Sequence, residues 1–153
     1  MRTFWRISIY ANLEGEGAQY AAGRWHTKGN LVVYLAASPA GAMLERLVHL
    51  SNVEGPLPKT YDLIEVTAPD DLRMKDILPL ADVDWKDHPE LTRRIGDAWL
   101  TSRESALARV PSAIVAQTWN VLLNPLNPSA SDLKIVSVRH EQFDNRLFGF
   151  AAR

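Results

Sequence analysis

Leu31-Val32-Val33-Tyr34-Leu35-Ala36-Ala37 runs straight into Ser38-Pro39-Ala40-Gly41-Ala42-Met43-Leu44-Glu45-Arg46-Leu47-Val48-His49-Leu50. The first part is apolar and rich in β-branched residues, the composition of a buried strand. Ser38-Pro39 then supplies a hydroxyl cap followed by proline at the first helical position, where its missing N–H costs nothing. Met43, Leu44, Leu47 and Val48 recur at helical spacing and make one apolar stripe, so a helix is expected from Pro39 to about Ser51-Asn52. Strand then helix, with no glycine-rich phosphate loop between them, sets the pattern for the rest of the chain.

Working outward, Phe4–Ile9 alternates bulky apolar with polar residues and reads as a short strand. Glu14–Gly29 holds Gly15, Gly17, Gly23 and Gly29, half of the chain's 8 glycines, and reads as a loop with tight turns. Tyr61–Ala68 is another strand, with Ile64, Val66 and Ala68 on one face. Glu90–Ser105 reads as a second helix, with Leu91, Ile95 and Trp99 at four-residue steps. Ser112–Gln117 and Asn120–Leu123 read as short strands or extended segments, and Leu133–Arg139 as the last strand. Repeated βαβ units are absent, so the expected architecture is α+β. It is a single domain over residues 1–153, with a mixed or antiparallel sheet and flanking helices.

The bulk properties narrow the function. A chain of 153 residues with 46% hydrophobic and 23% charged residues has the balance of a folded globular domain. The formal net charge is −1 and the basic residues form no run, which argues against direct nucleic-acid binding and against a transcription factor. Cysteine is absent, which removes disulfides, thiolate metal sites and a cysteine nucleophile together. His26, His49, His88 and His140 contain no His-x-x-x-His pair, so no metal is expected. No signal-peptide pattern or membrane-length apolar run is present, and the chain reads as soluble and cytoplasmic.

Four side chains stand out against this background. Arg24, in Gly23-Arg24-Trp25, lies in the glycine-rich loop; its planar fork suits a diphosphate, and Gly23 lets backbone approach closely. Read locally, an exposed arginine beside a core tryptophan is the commoner case, since most arginines are exposed. Tyr34 interrupts an aliphatic strand with a flat ring and a hydroxyl, the traits of a stacking surface or of an ordinary core aromatic. Glu45 sits close to the apolar side of its helix, either solvated at the stripe's edge or facing a cleft, with His49 one turn on and within hydrogen-bonding reach. Ser112, after Val110-Pro111, lacks the Gly-x-Ser-x-Gly elbow and reads as a turn or cap residue rather than an acyl-transfer nucleophile.

Together these blocks resemble the RES family, the toxin half of RES–Xre toxin–antitoxin pairs, named for an arginine, a glutamate and a serine. The likeness runs through Phe4-Trp5-Arg6, Gly23-Arg24-Trp25, Val33-Tyr34-Leu35-Ala36, and Ala42 to His49. It continues through Ile95-Gly96-Asp97-x-Trp99, Val110-Pro111-Ser112-Ala113, Asn120-x-x-x-Asn124-Pro125 and Phe143-Asp144-x-Arg146-Leu147. Arg24, Glu45 and Ser112 occupy the naming positions, and the literal string Arg103-Glu104-Ser105 is a coincidence at a helix end. The resemblance implies a fold similar to diphtheria-toxin-like ADP-ribosyltransferases. It also implies NAD⁺ as a consumed substrate, with no permanently bound cofactor, and an Xre-type antitoxin that blocks the cleft. A homodimer within that complex is compatible with it.

On that resemblance, Arg24 is expected at the diphosphate, Tyr34 against the nicotinamide and Glu45 at the ribose. Ser112 is expected at the nicotinamide ribose or amide, or orienting Glu45; His49 would tune Glu45, and Arg6 would meet a phosphate. Ordinary glycosidases need a second carboxyl group to protonate a poor leaving group. Nicotinamide leaves NAD⁺ as a neutral molecule, so one carboxylate that stabilises the cationic ribose suffices. Water, phosphate or a protein side chain remain as acceptors, corresponding to glycohydrolase, phosphorylase and ADP-ribosyltransferase. A non-catalytic binding module on the same scaffold is the remaining alternative.

Overall fold

The computed structural model describes residues 1–79 and 82–149. One seven-stranded sheet organises them. Its strands are β1 (Arg2–Ile7), β2 (Val33–Ala36), β3 (Thr60–Ala68), β4 (Met74–Asp76), β5 (Leu107–Pro111), β6 (Trp119–Leu123) and β7 (Lys134–Gln142), in the order β4-β5-β6-β2-β1-β3-β7. Every pairing is antiparallel except β4 with β5. A parallel pair needs a long crossover, and here the crossover contains helix α2 (Pro89–Ser102). Helix α1 (Pro39–Leu50) follows β2 and packs on β1 and β2, and a short helix α3 (Arg146–Gly149) closes the described chain. The α+β, mixed-sheet expectation holds.

Alternation along the central strands divides the core into two clusters. Val33, Leu35, Val121, Leu123 and Leu107 join Phe4, Ile64 and Val66 in one cluster. Leu122, Ala108 and Val110 join Trp25, Trp99 and Leu100 in the other. Tyr34 packs against the second cluster, and its register partner is Leu122, while Ala36 pairs with Asn120. Tyr34, Ala36, Asn120 and Leu122 therefore share a face of the sheet, the face covered by α2.

Ser38 caps α1 as expected: its side chain accepts from the Gly41 N–H, and Pro39 follows. Two expectations need correction. Ser112–Gln117 is not a strand; the strand is Leu107–Pro111, and the following residues form the loop into β6, with Gln117 at φ 59°. The buried side of α2 is Thr92, Gly96, Trp99 and Leu100, so the Leu91–Ile95–Trp99 stripe is displaced by about one residue, and Leu91 is only half-buried.

The displacement has a cause. Trp25 comes so close to α2 that a Cβ on Gly96 would lie 1.8 Å from the Trp25 carbonyl oxygen. At Gly96 the helix thus meets a loop backbone, where bulk is forbidden, while Trp99 and Leu100 one turn on join the core beneath the sheet. Gly96→Ala is accordingly expected to destabilise the protein by about 1–3 kcal/mol, although the same change on an open helix face gains about 1 kcal/mol. Urea unfolding midpoints measure it, and a stabilised variant would contradict the close approach.

Candidate active site

Glu45 projects from α1 towards the end of the β5–β6 hairpin. Asn120 Nδ2 donates to Glu45 Oε1 at 2.7 Å, and Ser112 Oγ donates to the same oxygen at 3.3 Å. The two donors meet because the Ser112 N–H bonds to the Thr118 carbonyl at 2.8 Å, extending the hairpin ladder one step past Pro111–Trp119. Ser112 and Asn120 then stand diagonally on one face. Ser112 Oγ also accepts from the N–H groups of Ile114 and Val115 at 3.1 and 3.3 Å, which leaves its proton for Glu45. Among the described residues Glu45 Oε2 has no hydrogen-bond partner.

Glu45 and Asn120 line a cavity of about 690 Å³, within the usual size for a small-molecule or cofactor site. Its walls also include Trp5, Tyr10, Trp25 and Tyr34, and the charged lining comprises Arg6, Arg24, Arg46 and Arg93 against Glu16 and Glu45. Four guanidinium groups against two carboxylates make this a cationic cleft in a chain whose overall net charge is −1.

Arg24 reaches this wall from a loop that α2 clasps. Thr92 Oγ1 donates to the Arg24 carbonyl at 2.5 Å, and Arg93 Nε donates to the Gly23 carbonyl at 2.8 Å. Asp97 accepts from Thr27 N, Thr27 Oγ1 and Asn30 Nδ2 at 3.0, 2.8 and 2.8 Å. The Arg24 side chain donates to the Lys86 carbonyl at 2.7 Å and lies 5.9 Å from the centre of the Trp85 ring.

Tyr34 completes the clasp from beneath. Its hydroxyl accepts the Trp25 N–H at 3.1 Å and lies 2.7 Å from His26 Nδ1. His26 Nε2 is 2.9 Å from the Ala21 carbonyl, which can only accept. Nε2 therefore carries the imidazole proton and Nδ1 accepts from Tyr34. Burial pushes the Tyr34 hydroxyl well above its ordinary pKa. Burial likewise lowers the His26 pKa, against the raising effects of the Ala21 and Ala18 carbonyls and Asp97, with Arg93 adding to the lowering.

The expected site residues are thus gathered unequally. Glu45, Arg24 and Tyr34 line one cavity; Ser112 is buried beside it and reaches Glu45 rather than the space itself. His49 lines the cavity, but the hydrogen bonds to Glu45 come from Asn120 and Ser112, so the expected His49 contact is replaced. Arg6 also lines it, with its guanidinium spent on the Asn12 carbonyl at 3.0 Å and Ser8 Oγ at 2.8 Å; burial lowers its pKa to about 10, against Glu16. Asn120 and the His26–Tyr34 pair escaped sequence reasoning. The available signal for Asn120 was a polar residue facing inward on a short apolar strand.

Residues 3–145 match the family model described as the RES domain. The chain belongs to the RES family of toxins. A protein named Toxin Res from Pseudomonas putida is 44% identical over 144 residues, covering 94% of this chain and 98% of its own length. A protein named Prs ADP-ribosylating toxin, from Sphingobium sp., is 36% identical over 156 residues, covering 95% of this chain and 96% of its own. The fold recurs, at a TM-score of 0.74 and 18% identity, in the crystal structure of the M. tuberculosis MbcT–MbcA toxin–antitoxin complex, over 98% of this chain and 88% of that one. The RES resemblance carried by Gly23-Arg24-Trp25, Leu44-Glu45 and Pro111-Ser112 therefore holds.

The neutral His26–Tyr34 pair has a measurable consequence. Below about pH 6.5, the ordinary histidine value, an unfolded chain takes up a proton that the folded chain resists. Stability from this group is therefore fully present above that value and is lost as pH falls towards the lower folded pKa. Urea midpoints at pH 7.5 and 5.5 should show this loss, and the loss should be smaller in His26→Asn than in the parent protein.

Proposed function

We propose that the cavity binds NAD⁺ and that this RES toxin breaks the bond between nicotinamide and ribose. The observation that carries the reading is the state of Glu45: it lines a cationic cavity with one carboxylate oxygen held by two donors and the other without a partner among the described residues. A carboxylate fixed in this way opposes a developing positive charge without having to reorganise. The excess of arginine suits the diphosphate of a dinucleotide, with Arg24 as its contact and the Tyr34 ring against the nicotinamide.

In the reaction the N-glycosidic bond breaks, its electron pair leaves with nicotinamide, and positive charge develops on the ribose. Glu45 Oε2 serves the ribose hydroxyls and that charge. Ser112 and Asn120 hold the carboxylate in place and take no proton. Capture of the ribose by water or phosphate makes the protein a glycohydrolase or a phosphorylase that depletes NAD⁺. Transfer to a protein is the second reading, favoured by the 36% identity to a protein named as an ADP-ribosylating toxin.

The partner proposed is an antitoxin of Xre type that covers the cavity mouth. A toxin–antitoxin complex with this fold and the apolar residues Ile9 and Val48, 79% and 42% exposed on the cavity lining, support it.

Glu45→Gln is expected to retain its urea midpoint and to lose about 10²–10³-fold in nicotinamide release; an unimpaired variant would remove Glu45 from the chemistry. Asn120→Ala should lower kcat more than it raises KM, whereas Arg24→Ala should chiefly raise KM for NAD⁺. Mass analysis of the ribose product, with and without phosphate and with a cell extract as protein acceptor, assigns the acceptor. Absence of nicotinamide under all three conditions overturns the enzyme reading.

A further inference from the structure

Helix α2 brings a second arginine to the wall that carries Arg24. Arg93 uses its Nε–H on the Gly23 carbonyl at 2.8 Å, one residue before Arg24. Its two terminal nitrogens have no acceptor among the described residues, yet the side chain is only half exposed and lines the cavity. Among the described residues neither Arg93 nor Arg24 has a carboxylate within salt-bridge distance, although Asp76, Asp144 and Glu104 all pair with cations elsewhere.

The geometry is specific. Thr92 and Arg93, adjacent on α2, bind the adjacent carbonyls of Arg24 and Gly23. The Nε bond fixes the plane of the Arg93 guanidinium, and the edge bearing the terminal nitrogens is left for another acceptor. A fork held at its inner end presents two roughly parallel donors, the arrangement that matches two oxygens of one phosphate. Arg24, by contrast, already gives one terminal nitrogen to the Lys86 carbonyl. Both cations line the same cavity without an ion-pair partner among the described residues, and a dianionic ligand supplies the missing negative charge.

We infer that Arg93 is a second phosphate-binding residue, which clamps a diphosphate together with Arg24 and selects ligands that carry one. The inference rests on the dinucleotide reading of the cavity. A purely structural Arg93 would only prop the Gly23-Arg24 loop through its Nε. The two roles differ in ligand dependence: a prop supports every ligand of the cavity, whereas a clamp acts only on those with phosphate.

The test is calorimetric binding to Glu45→Gln protein, which holds ligands without turnover, with and without Arg93→Met. The probes are NAD⁺, ADP-ribose, inorganic pyrophosphate and nicotinamide riboside, which has no phosphate. Arg93→Met should weaken NAD⁺, ADP-ribose and pyrophosphate by about ten- to a hundredfold, the loss expected for hydrogen bonds to a charged group, and leave nicotinamide riboside unchanged. Arg93→Lys, which keeps the charge but not the fork, should recover only part of the loss. Equal weakening of all four ligands, or no weakening, overturns the inference. If pyrophosphate binds through Arg93 but NAD⁺ does not bind, the clamp stands and the dinucleotide reading falls. If none of the four binds with Arg93 present, both fall.

Discussion

The contact between the Trp25 carbonyl and helix α2 is the constraint on which the rest of the site depends. A loop that crosses a helix this closely gives up its hydration and must find other partners, since each buried polar group left unpaired costs about 1–3 kcal/mol. Helix α2 supplies them from one side: Thr92 and Arg93 for the carbonyls of Arg24 and Gly23, and Asp97 for Thr27 and Asn30. Gly96 makes the approach possible by having no side chain. The loop carrying Arg24 is therefore no free surface loop; its contacts with helix α2 set its position.

The opposite wall follows a different logic. Glu45 comes from α1, while Ser112 and Asn120 come from the β5–β6 hairpin. The carboxylate is a joint between helix and sheet, and one of its oxygens is held by neutral donors rather than by a cation. An arginine partner would cancel the negative charge on which the proposed reaction relies. Amide and hydroxyl donors fix the geometry and leave that charge in place. Arg24 and Arg93 come from the loop and from α2 rather than from α1, so on the proposed reading the phosphate contacts and the carboxylate belong to different elements of the lining.

What the sequence disclosed follows from how each residue is used. The Leu31–Leu50 stretch was legible because Ser38 and Pro39 do locally what those residue types do anywhere, and Ile64, Val66 and Ala68 alternate into a fully buried face. Leu107–Pro111 was missed because its small Ala108 and its charged Arg109 hide the strand pattern, and Arg109 pairs with Asp76 and lies over Trp119. Ile114 and Val115 imitate a strand, yet their N–H groups bend in to Ser112 Oγ. The stripe on α2 was misplaced because the first half of its buried side, Thr92 and Gly96, meets loop backbone, which hydrophobic periodicity cannot register. Arg24 and Glu45 stood out locally but took definite roles only through the family resemblance, since the residues they work beside, Arg93 and Asn120, lie far away in the chain.

The Tyr34 network limits the chemistry that the site can perform. The Trp25 N–H goes to the Tyr34 oxygen, the Tyr34 proton to His26 Nδ1, and the His26 Nε2 proton to the Ala21 carbonyl. Every donor and acceptor in that chain is used, and adding or removing a proton breaks a link that holds the Arg24 loop. Burial moves the two titratable groups in opposite directions, Tyr34 upward and His26 downward, and both shifts favour the neutral form at physiological pH. A pair so fixed is unsuited to act as general acid or base, although it lies beside the cavity. Ser112 is committed in the same way, with its oxygen bound to two amides and its proton directed to Glu45. What these groups leave to the site is a fixed field, negative at Glu45 and positive at the arginines. Such a field suits a reaction whose leaving group departs neutral and needs no proton.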